Sequence, residues 1–240
     1  MNDSRAQILR RILRALPKSD QERRPDHISP GVGPSSLLGT AQDFSTLVKK
    51  FQREFEQTGA EMRVCSNEPC AIEFIRRFIE EKGFQTVAIS RHKICLRLNL
   101  VERLSEKLPR TRFFTEGIDS ENPYERARLK EQMARVPLSI TGIEYLIAET
   151  GTLVAWSHPE ASRQISLLPE VHIALATIDQ IRPNLSELFA EIQAKYGANL
   201  PGSAITLITG PSRTADIEKV LIKGVHGPTQ LVAVLLENLE

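Results

Sequence analysis

Cysteine and long apolar runs are both scarce in this chain. The three cysteines, Cys65, Cys70 and Cys95, are too few for an even disulfide framework, and no pair has the CxxC spacing of zinc or iron–sulfur ligands. The longest apolar runs, such as Leu231–Leu236, are about a third of the roughly 20 residues that a membrane-spanning helix needs. The sequence therefore predicts a chain without a cluster of its own and without a membrane span.

An excess of charge of one sign is also missing. The 240 residues include 31 basic and 30 acidic side chains, which gives a formal net charge of +1. This balance provides no general attraction to nucleic acid or to an anionic membrane surface. Residues 1–17 lack the continuous apolar stretch and the small-residue cleavage site of a secretory signal. We therefore expect a cytoplasmic protein that binds neither nucleic acid nor a membrane.

Several signatures of cofactor and metal chemistry are absent. The sequence has no GxGxxG fingerprint, no GxxxxGK[ST] phosphate loop and no GxSxG nucleophile elbow. The histidines His27, His92, His158 and His172 show no HxxxH or HExxH spacing, and no histidine–carboxylate cluster indicates a metal. These absences argue against a stand-alone NAD-dependent dehydrogenase and against a metal site.

Composition divides the chain into an N-terminal appendage, residues 1–40, and a larger domain, residues 41–240. Ser4–Leu16 is predicted to be an amphipathic helix, with Ser4 and Gln7 as a capping box and apolar residues on one face. This face could pack on its own domain, on a second copy in a homo-oligomer, on another subunit or on a membrane surface. Pro17–Ser36 is rich in proline and glycine, which is typical of an extended arm. The 41% hydrophobic content suffices for one large core in the remaining domain.

The larger domain alternates helical spacing of apolar residues with short apolar runs. Helices are predicted at Asp43–Gln57, Glu68–Lys82 and Leu185–Tyr196. Strands are predicted at Glu61–Cys65, Thr86–Ser90, Phe113–Phe114, Thr152–Trp156, Val171–Ala176, Ala204–Ile208, Val220–Ile222 and Leu231–Leu236. Because strands and helices alternate, we expect an α/β fold with parallel strand pairing through right-handed crossovers.

The segment ITGIEYLIAETGTLV, Ile140–Val154, contains the first candidate site. The pattern predicts a short helix that Thr141 caps and whose last turn contains Ile147 and Ala148. Glu149 would then lie near a helix C-terminus, where the helix dipole opposes a carboxylate by about 0.3–1 kcal/mol. A carboxylate at such a place favours a general base or a ligand-facing acceptor. The alternatives are an ion pair with an arginine and simple exposure to water.

The turn that follows Glu149 supplies hydrogen-bond donors. Gly151 allows the chain to reverse into the strand that begins at Thr152. Thr150, Gly151 and Thr152 offer backbone N–H groups and hydroxyls, which can hold an anion. Glu149 is therefore a candidate catalytic residue, and the three residues after it are candidate anion-binding residues.

The segment GPSRTADIE, Gly210–Glu218, contains the second candidate site. The apolar run Ala204–Ile208 predicts a buried strand, and the glycine and proline that follow it prevent the strand from continuing. In an open α/β sheet, ligands bind in loops just past the carboxyl ends of strands. The sequence therefore places polar side chains where a ligand is expected.

The donors of this loop suit a carboxylate or a phosphate. Beside Gly210, Ser212 and Thr214 offer hydroxyls and Arg213 offers a planar guanidinium with five N–H donors. Arg213 could bind the carboxylate of a 2-hydroxy or 2-keto acid, or a phosphate of a nucleotide or coenzyme A. Asp216 is a further candidate catalytic residue. The alternative is structural: Ser212 and Asp216 fix turns, and Arg213 pairs with Asp216 or Glu218.

A third segment, GVHGP at residues 224–228, places His226 in a tight turn. Histidine exchanges a proton near neutral pH, so His226 is a candidate acid or base; the alternative is a structural hydrogen bond. Cys65 and Cys70 flank a predicted strand-to-helix junction, where a helix N-terminus could lower a thiol pKa. Buried, unreactive thiols are the alternative there.

Together, Ile140–Val154, GPSRTADIE and GVHGP resemble the LUD domain of the lactate utilisation protein C family, also called LutC or YkgG. The resemblance extends over roughly residues 60–237. It implies a three-layer α/β domain with a largely parallel sheet and flanking helices, related in fold to the NagB/RpiA/CoA-transferase group. It also implies two iron–sulfur partners, which together with this subunit convert L-lactate to pyruvate in bacteria. The family's sister subunit adds cysteine-rich, ferredoxin-like segments, so their absence here favours the cluster-free subunit.

Three functions are compatible with these observations. The chain could be the cluster-free subunit of an L-lactate-oxidising complex that holds lactate, pyruvate or a regulatory anion while iron–sulfur partners carry the electrons. It could instead be a stand-alone transferase, isomerase or ligase that acts on a phosphorylated, nucleotide or coenzyme A substrate, as fold analogy suggests. It could also be a non-catalytic scaffold or regulatory subunit whose N-terminal helix and arm recruit partners.

Overall fold

The computed structural model describes residues 41–115, 131, 135–157, 163–197, 200, 202–215, 221–223 and 227–237. Several predictions fall outside these residues: the helix Ser4–Leu16, the arm Pro17–Ser36, and the candidate catalytic residues Asp216 and His226. The described helices are α1 Ala41–Gln57, α2 Glu68–Lys82, α3 Lys93–Arg97, α4 Leu100–Lys107, α5 Arg163–Leu167 and α6 Leu185–Tyr196. A 3₁₀ turn covers Ile178–Gln180.

The described strands confirm most of the predicted ones. They are β1 Glu61–Cys65, β2 Thr86–Ile89, β3 Arg112–Thr115, β4 Leu138–Gly142, β5 Tyr145–Ile147, β6 Thr152–Ser157, β7 Val171–Thr177, β8 Ile181–Arg182, β9 Ala204–Ile208, β10 Arg213–Ala215, β11 Leu221–Lys223 and β12 Gln230–Leu236. Local signals fixed several boundaries. The side chain of Asn67 accepts a hydrogen bond from Cys70 N at the start of α2, and Gly83 ends that helix at φ +68°.

A central sheet of six strands has the order β1-β12-β7-β4-β2-β3, and every neighbouring pair is parallel. This arrangement confirms the predicted α/β fold with a largely parallel sheet. Alternate residues of each strand face opposite sides, so the sheet packs against two different layers. One face, which includes Val87, Ile140 and Ile173, forms a buried cluster with α2, α3 and α4.

The other face of the central sheet is lined by small residues, among them Ala174 and Ala233. It packs against Phe51 and Phe55 of α1 and against a second sheet that contributes Leu153. The short helix α5 covers this face beside β2 and β4, where Ile165 contacts the buried cluster around Ala88. Helices therefore flank the central sheet on both faces.

The second sheet has the order β8-β5-β6-β9. Its pairs β5–β6 and β6–β9 are antiparallel, so the expectation of parallel pairing is wrong for this part of the chain. Helix α6 packs on its outer face, where Arg182 of β8 forms two hydrogen bonds with the carboxylate of Glu191. This ion pair holds the pKa of Glu191 below its ordinary value.

Two local predictions are wrong. Residues 138–147 form β4 and β5 instead of a short helix that Thr141 caps, because these β-branched and aromatic residues are buried between layers and pair with neighbouring strands. Strand β9 is not buried: it is the edge strand of the second sheet, and Leu207 is 44% exposed. Among the described helices, none has the length and apolar character needed to cross a membrane.

Candidate functional site

The central sheet changes direction between β2 and β4. From β2 the chain passes through α3 and α4 to β3, whereas from β4 it passes through the second sheet and α5 to β7, on the opposite face. In open α/β sheets, ligands bind at such a switch point, outside the carboxyl ends of the strands. This topology selects the ends of β2 and β4 as a candidate functional site.

A narrow crevice, partly open to solvent, lies at this point; we call it the β2–β4 crevice. Its free volume of about 20 Å³ is room for about one water molecule. Its walls come from both sheets and from α5. The lining residues are Ser90, Thr141, Gly142, Ala155, Trp156, Ser157, Arg163, Ile165, Ser166 and Thr206. The five hydroxyls and one guanidinium of these residues are donors that suit a small, oxygen-rich or anionic molecule.

A buried histidine–carboxylate pair lies behind the crevice. His92 is 3% exposed, and its Nε2 is 3.3 Å from Oε1 of Glu144. Its Nδ1 accepts a hydrogen bond from the backbone N–H of Ile94, which leaves Nε2 as the nitrogen that can donate to the carboxylate. The other carboxylate oxygen of Glu144 accepts from the backbone N–H of Trp156 at 2.7 Å. The pair therefore joins the start of α3, the end of β4 and strand β6.

Gly142 allows the imidazole to lie this close to the sheet. A Cβ atom at this position would stand 1.7 Å from Nδ1 of His92, far inside van der Waals contact. Because Gly142 also lines the crevice, the glycine lets His92 pack against the wall from behind. The backbone at the end of β4 is thus held between the crevice and the buried pair.

A second histidine is buried in the central sheet. His172 of β7 is fully buried, and its Nε2 is 2.7 Å from Oγ1 of Thr141, which lines the crevice. Burial lowers the pKa of His172 to about 4, so the imidazole is neutral near pH 7. Its Nδ1 and the hydroxyl of Ser139 are buried without a hydrogen-bond partner in the part of the chain that the structure describes.

A buried thiol adjoins the same place. Cys95 is 3% exposed, and its Sγ lies 3.6 Å from Oγ of Ser90. Burial raises the pKa of Cys95 to about 12, so the group is a thiol and not a thiolate at neutral pH. Burial, followed by a hydrogen bond with Cys70, also raises the pKa of Cys65 to about 12. The helix N-terminus beside Cys65 therefore does not activate it.

The segments singled out in the sequence meet elsewhere. Glu149 and Thr150 are exposed in the β5–β6 turn, so the helix-dipole argument for Glu149 does not apply. The hydroxyl of Thr152 is 2.7 Å from that of Thr150 and 2.8 Å from that of Thr209, just before Gly210. The structure thus brings the first two candidate segments together, at the junction of β5, β6 and β9.

The third segment joins the second. The backbone N–H of Ser212 donates to the carbonyl of Pro228 at 2.8 Å, and Gly227 lies against the Ser212 side chain. Thr214 lies in the short strand β10, which pairs with β11. We call the region formed by residues 149–152 and 209–213 the motif loops.

Packing accounts for several motif residues. Gly151 has φ +59°, and a Cβ there would stand 2.3 Å from the backbone nitrogen of Phe55 in α1. Gly210 has φ +89° and lies against the Thr58 side chain. The exposed Arg213 packs over Gly59, where a Cβ would stand 2.4 Å from Nη2. These contacts fasten the motif loops to the end of α1.

The motif loops and the β2–β4 crevice lie at opposite ends of β6. Thr152 begins this strand and Ser157, which lines the crevice, ends it. Five residues of extended strand span about 16 Å. A ligand of a few atoms therefore cannot contact Arg213 and the crevice at once, and the two places are alternative sites.

Sequence reasoning missed the crevice residues, although signals for them exist. Ser90 is the last residue of a predicted strand and His92 lies just beyond it, at the edge of the sheet where ligands bind. His172 is a polar residue inside an otherwise apolar strand, and such a residue needs a partner. Arg163 carries no local signal. Among the described residues, no group of three or more histidine, cysteine, aspartate or glutamate side chains could hold a metal ion.

Comparison with known proteins identifies the family of this chain. The family model of the LUD domain matches residues 48–236 of this chain. YkgG of Escherichia coli (strain K12) is 28% identical over 244 residues, which cover 98% of this chain and 99% of YkgG. Lactate utilization protein C of Halalkalibacterium halodurans is 38% identical over 116 residues, which cover 48% of this chain and 50% of that protein. The corresponding protein of Exiguobacterium sp. is 36% identical over 140 residues, 58% of this chain and 59% of the relative.

A solved structure has the same fold. The crystal structure of a DUF162 family protein from Deinococcus radiodurans superposes with a TM-score of 0.52. The match covers 80% of this chain and 98% of that one, at 20% sequence identity. At this identity the similarity concerns the fold alone, and it agrees with the α/β class predicted from the sequence. The two lactate utilization proteins C are matched over half to three-fifths of their length.

Proposed function

The chain belongs to the LUD domain family, and from this premise we propose that it is the cluster-free subunit of a bacterial L-lactate utilisation complex. In this proposal the β2–β4 crevice holds the small 2-hydroxy acid, and partner subunits hold iron–sulfur clusters. The carrying observation is the crevice itself, which lies at the switch point of the central sheet and is lined by five hydroxyls and one guanidinium.

The crevice is small, which favours a small ligand. Its free volume of about 20 Å³ is room for about one water molecule, so an acid such as lactate enters only when an exposed lining side chain such as Arg163 turns aside. A nucleotide or coenzyme A would need a far larger opening. The crevice therefore supports a ligand such as lactate over the substrates of a stand-alone transferase, isomerase or ligase.

The chemistry of the lining matches a 2-hydroxy acid. Arg163 offers parallel N–H donors, the geometry that binds a carboxylate through two hydrogen bonds. Ser90, Thr141 and Ser157 offer hydroxyls that can donate to the carboxylate or pair with the 2-hydroxyl. The methyl group of lactate has apolar neighbours available in Ala155 and Ile165.

The redox step requires more than this chain offers. Conversion of L-lactate to pyruvate breaks the O–H and C2–H bonds, forms the C=O bond and releases two electrons and two protons. We assign the electrons to iron–sulfur clusters of the partner subunits, each of which accepts one electron at a time. The role of this chain is to bind and orient the acid beside them.

Purification of the full-length, tagged chain from a bacterial host grown on L-lactate tests the proposal. We expect iron–sulfur partners in the eluate and lactate-dependent reduction of a dye. In this complex, Arg163→Ala should raise KM for L-lactate by about 10- to 100-fold, because it removes a charge-assisted hydrogen bond pair. Arg77→Ala, at an exposed position on α2, is the matched control and should leave KM unchanged.

Other outcomes select among the alternatives. If Arg213→Ala raises KM and Arg163→Ala does not, the ligand binds at the motif loops and the crevice assignment is wrong. If the purified chain carries no partner, no iron and no activity, the complex is wrong, and turnover of a nucleotide or coenzyme A thioester would favour the stand-alone enzyme. Loss of partners after deletion of residues 1–36, with the core domain still folded, would favour scaffolding by the N-terminal segment.

A further inference from the structure

A line of buried polar side chains leads from the β2–β4 crevice into the central sheet. Thr141 and Ser139 are two residues apart in β4, so both face the same side, and His172 lies on the neighbouring strand β7. Ser139 and His172 are direct partners in the register of the two strands. All three side chains are at most 3% exposed. Only Thr141 reaches the crevice.

The hydrogen bonds along this line are incomplete. Oγ1 of Thr141 is 2.7 Å from Nε2 of His172, a short and fully buried contact. Among the described residues, Nδ1 of His172 and Oγ of Ser139 have no partner. Buried polar atoms are almost always satisfied, and these two orphans belong to residues at paired register positions, so each is the natural candidate to satisfy the other.

The neutral imidazole has two arrangements with the same charge. Because burial lowers the pKa of His172 to about 4, the ring carries one proton near pH 7, on either nitrogen. With the proton on Nδ1, Nε2 accepts the hydroxyl proton of Thr141, and Oγ1 is left with lone pairs for the crevice. With the proton on Nε2, the ring donates to Oγ1, and the hydroxyl proton of Thr141 is free to donate into the crevice.

These two arrangements fit the two ends of the reaction in the proposed function. The 2-hydroxyl of L-lactate donates a hydrogen bond, whereas the 2-keto oxygen of pyruvate only accepts one. We propose that Thr141 and His172 form a tautomer switch that lets one crevice bind both the 2-hydroxy acid and the 2-keto acid. This inference rests on the proposed function, since it assumes that the crevice holds these acids.

The hydroxyl of Ser139, the register partner of His172, would make the switch reversible. After rotation of its side chain it would accept when the ring carries its proton on Nδ1 and donate when it does not. Neither tautomer gains or loses a proton overall, so the exchange changes no charge inside the sheet. His172 is thus a positioning residue, which acts on the ligand through Thr141.

Nitrogen NMR on the full-length protein, labelled with ¹⁵N at histidine, tests the switch directly. The nitrogen shifts and proton couplings of an imidazole distinguish its two neutral tautomers, and His172→Gln identifies the signal among the five histidines. We expect the Nδ1–H tautomer with saturating L-lactate and the Nε2–H tautomer with saturating pyruvate. The same tautomer with both ligands would overturn the switch.

Variants at Thr141 provide a second readout. Thr141→Val removes the hydroxyl and keeps the size of the side chain. It should weaken the binding of both acids by at least 10-fold and abolish the tautomer change. Thr141→Ser keeps the hydroxyl, so it should preserve both the binding and the tautomer change. If both acids bind normally to Thr141→Val, the switch is wrong while the proposed function stands. If the wild-type protein and its complex bind neither acid, the proposed function itself is wrong, and the switch with it.

Discussion

The imidazole of His92 lies directly against the α-carbon of Gly142, so close that a methyl group on that carbon would stand 1.7 Å from Nδ1. The side chain of His92 also pairs with Glu144, which lies two residues after Gly142 in the chain. Residues 142–144 are therefore held by one histidine that comes from the start of α3. The wall of the β2–β4 crevice depends on this contact.

Gly142→Ala should destabilise the protein through His92. Overpacking of a buried site costs about 1–3 kcal/mol, and a clash of this size should reach at least about 3 kcal/mol of unfolding free energy. In a His92→Ala background the space is free, so the same substitution should cost less than about 1 kcal/mol. Chemical denaturation of the four proteins measures both values. An equal cost in the two backgrounds would contradict the contact.

Gly151→Ala should cost more than Gly83→Ala, although both glycines have positive φ. The strain of a left-handed backbone is about 1–2 kcal/mol for an alanine and is common to the two variants. Only Gly151 faces a neighbour, the backbone of Phe55 at 2.3 Å, whereas Gly83 has nothing within 4 Å. We expect Gly151→Ala to lose about 2 kcal/mol more, measured by denaturant unfolding. Similar losses would mean that the β5–β6 turn does not pack on α1.

The stability of the protein should fall in acid because of His172. Its folded-state pKa, about 4, is below its ordinary value of 6.5, so the unfolded chain binds the proton more readily between these pH values. The contribution of neutral His172 to the unfolding free energy is complete above pH 6.5, declines as the pH falls and is lost below about pH 4. This contribution amounts to about 3 kcal/mol. The unfolding free energy of wild type minus that of His172→Gln should therefore shrink over this window, and a constant difference would contradict the burial of a neutral ring.

The three cysteines should differ in reactivity. Cys65 and Cys95 are buried with pKa values raised to about 12, whereas Cys70 is partly exposed. Since the thiolate reacts, iodoacetamide at pH 8 should label Cys70 first and the other two only after unfolding. Mass spectrometry of the intact protein and its peptides follows the order. Early labelling of Cys95 would show that the buried region beside Ser90 becomes accessible to the reagent in the folded protein.

Local signals predicted most of the central sheet. Glu68–Lys82 has a capping asparagine before it and Gly83 after it, so its bounds follow from the sequence alone. Strands β6 and β9 of the second sheet were predicted, but β5 was not, because Tyr145–Ile147 is buried on both faces and shows no alternation. The pairing of β5 with β6 and β8 is a tertiary effect. Strand pairing of this kind depends on packing between segments that are distant in the sequence, so no single segment predicts it.

The candidate sites were also predictable only in part. The sequence marked Gly151, Gly210 and Arg213 by their chemistry, and the structure gives each a packing contact with the end of α1. The crevice residues come from the loop after β2 and from β4, β6, α5 and β9, which are far apart in the chain. No motif of contiguous residues can show such a site, and only the strand order brings Ser90 and Thr206 to one place.

Ile143 and Glu144 connect the central sheet to the second sheet beside the crevice. The N–H of Ile143 donates to Leu175 in the central sheet, and the next N–H, of Glu144, donates to Val154 in the second sheet. The side-chain amide of Gln180 donates to the carbonyls of both residues. These hydrogen bonds tie the two sheets together beside the β2–β4 crevice, so its backbone walls are held at a fixed separation. Under the proposed function, the acid would therefore enter through rotation of side chains such as Arg163, because the free volume is room for about one water molecule.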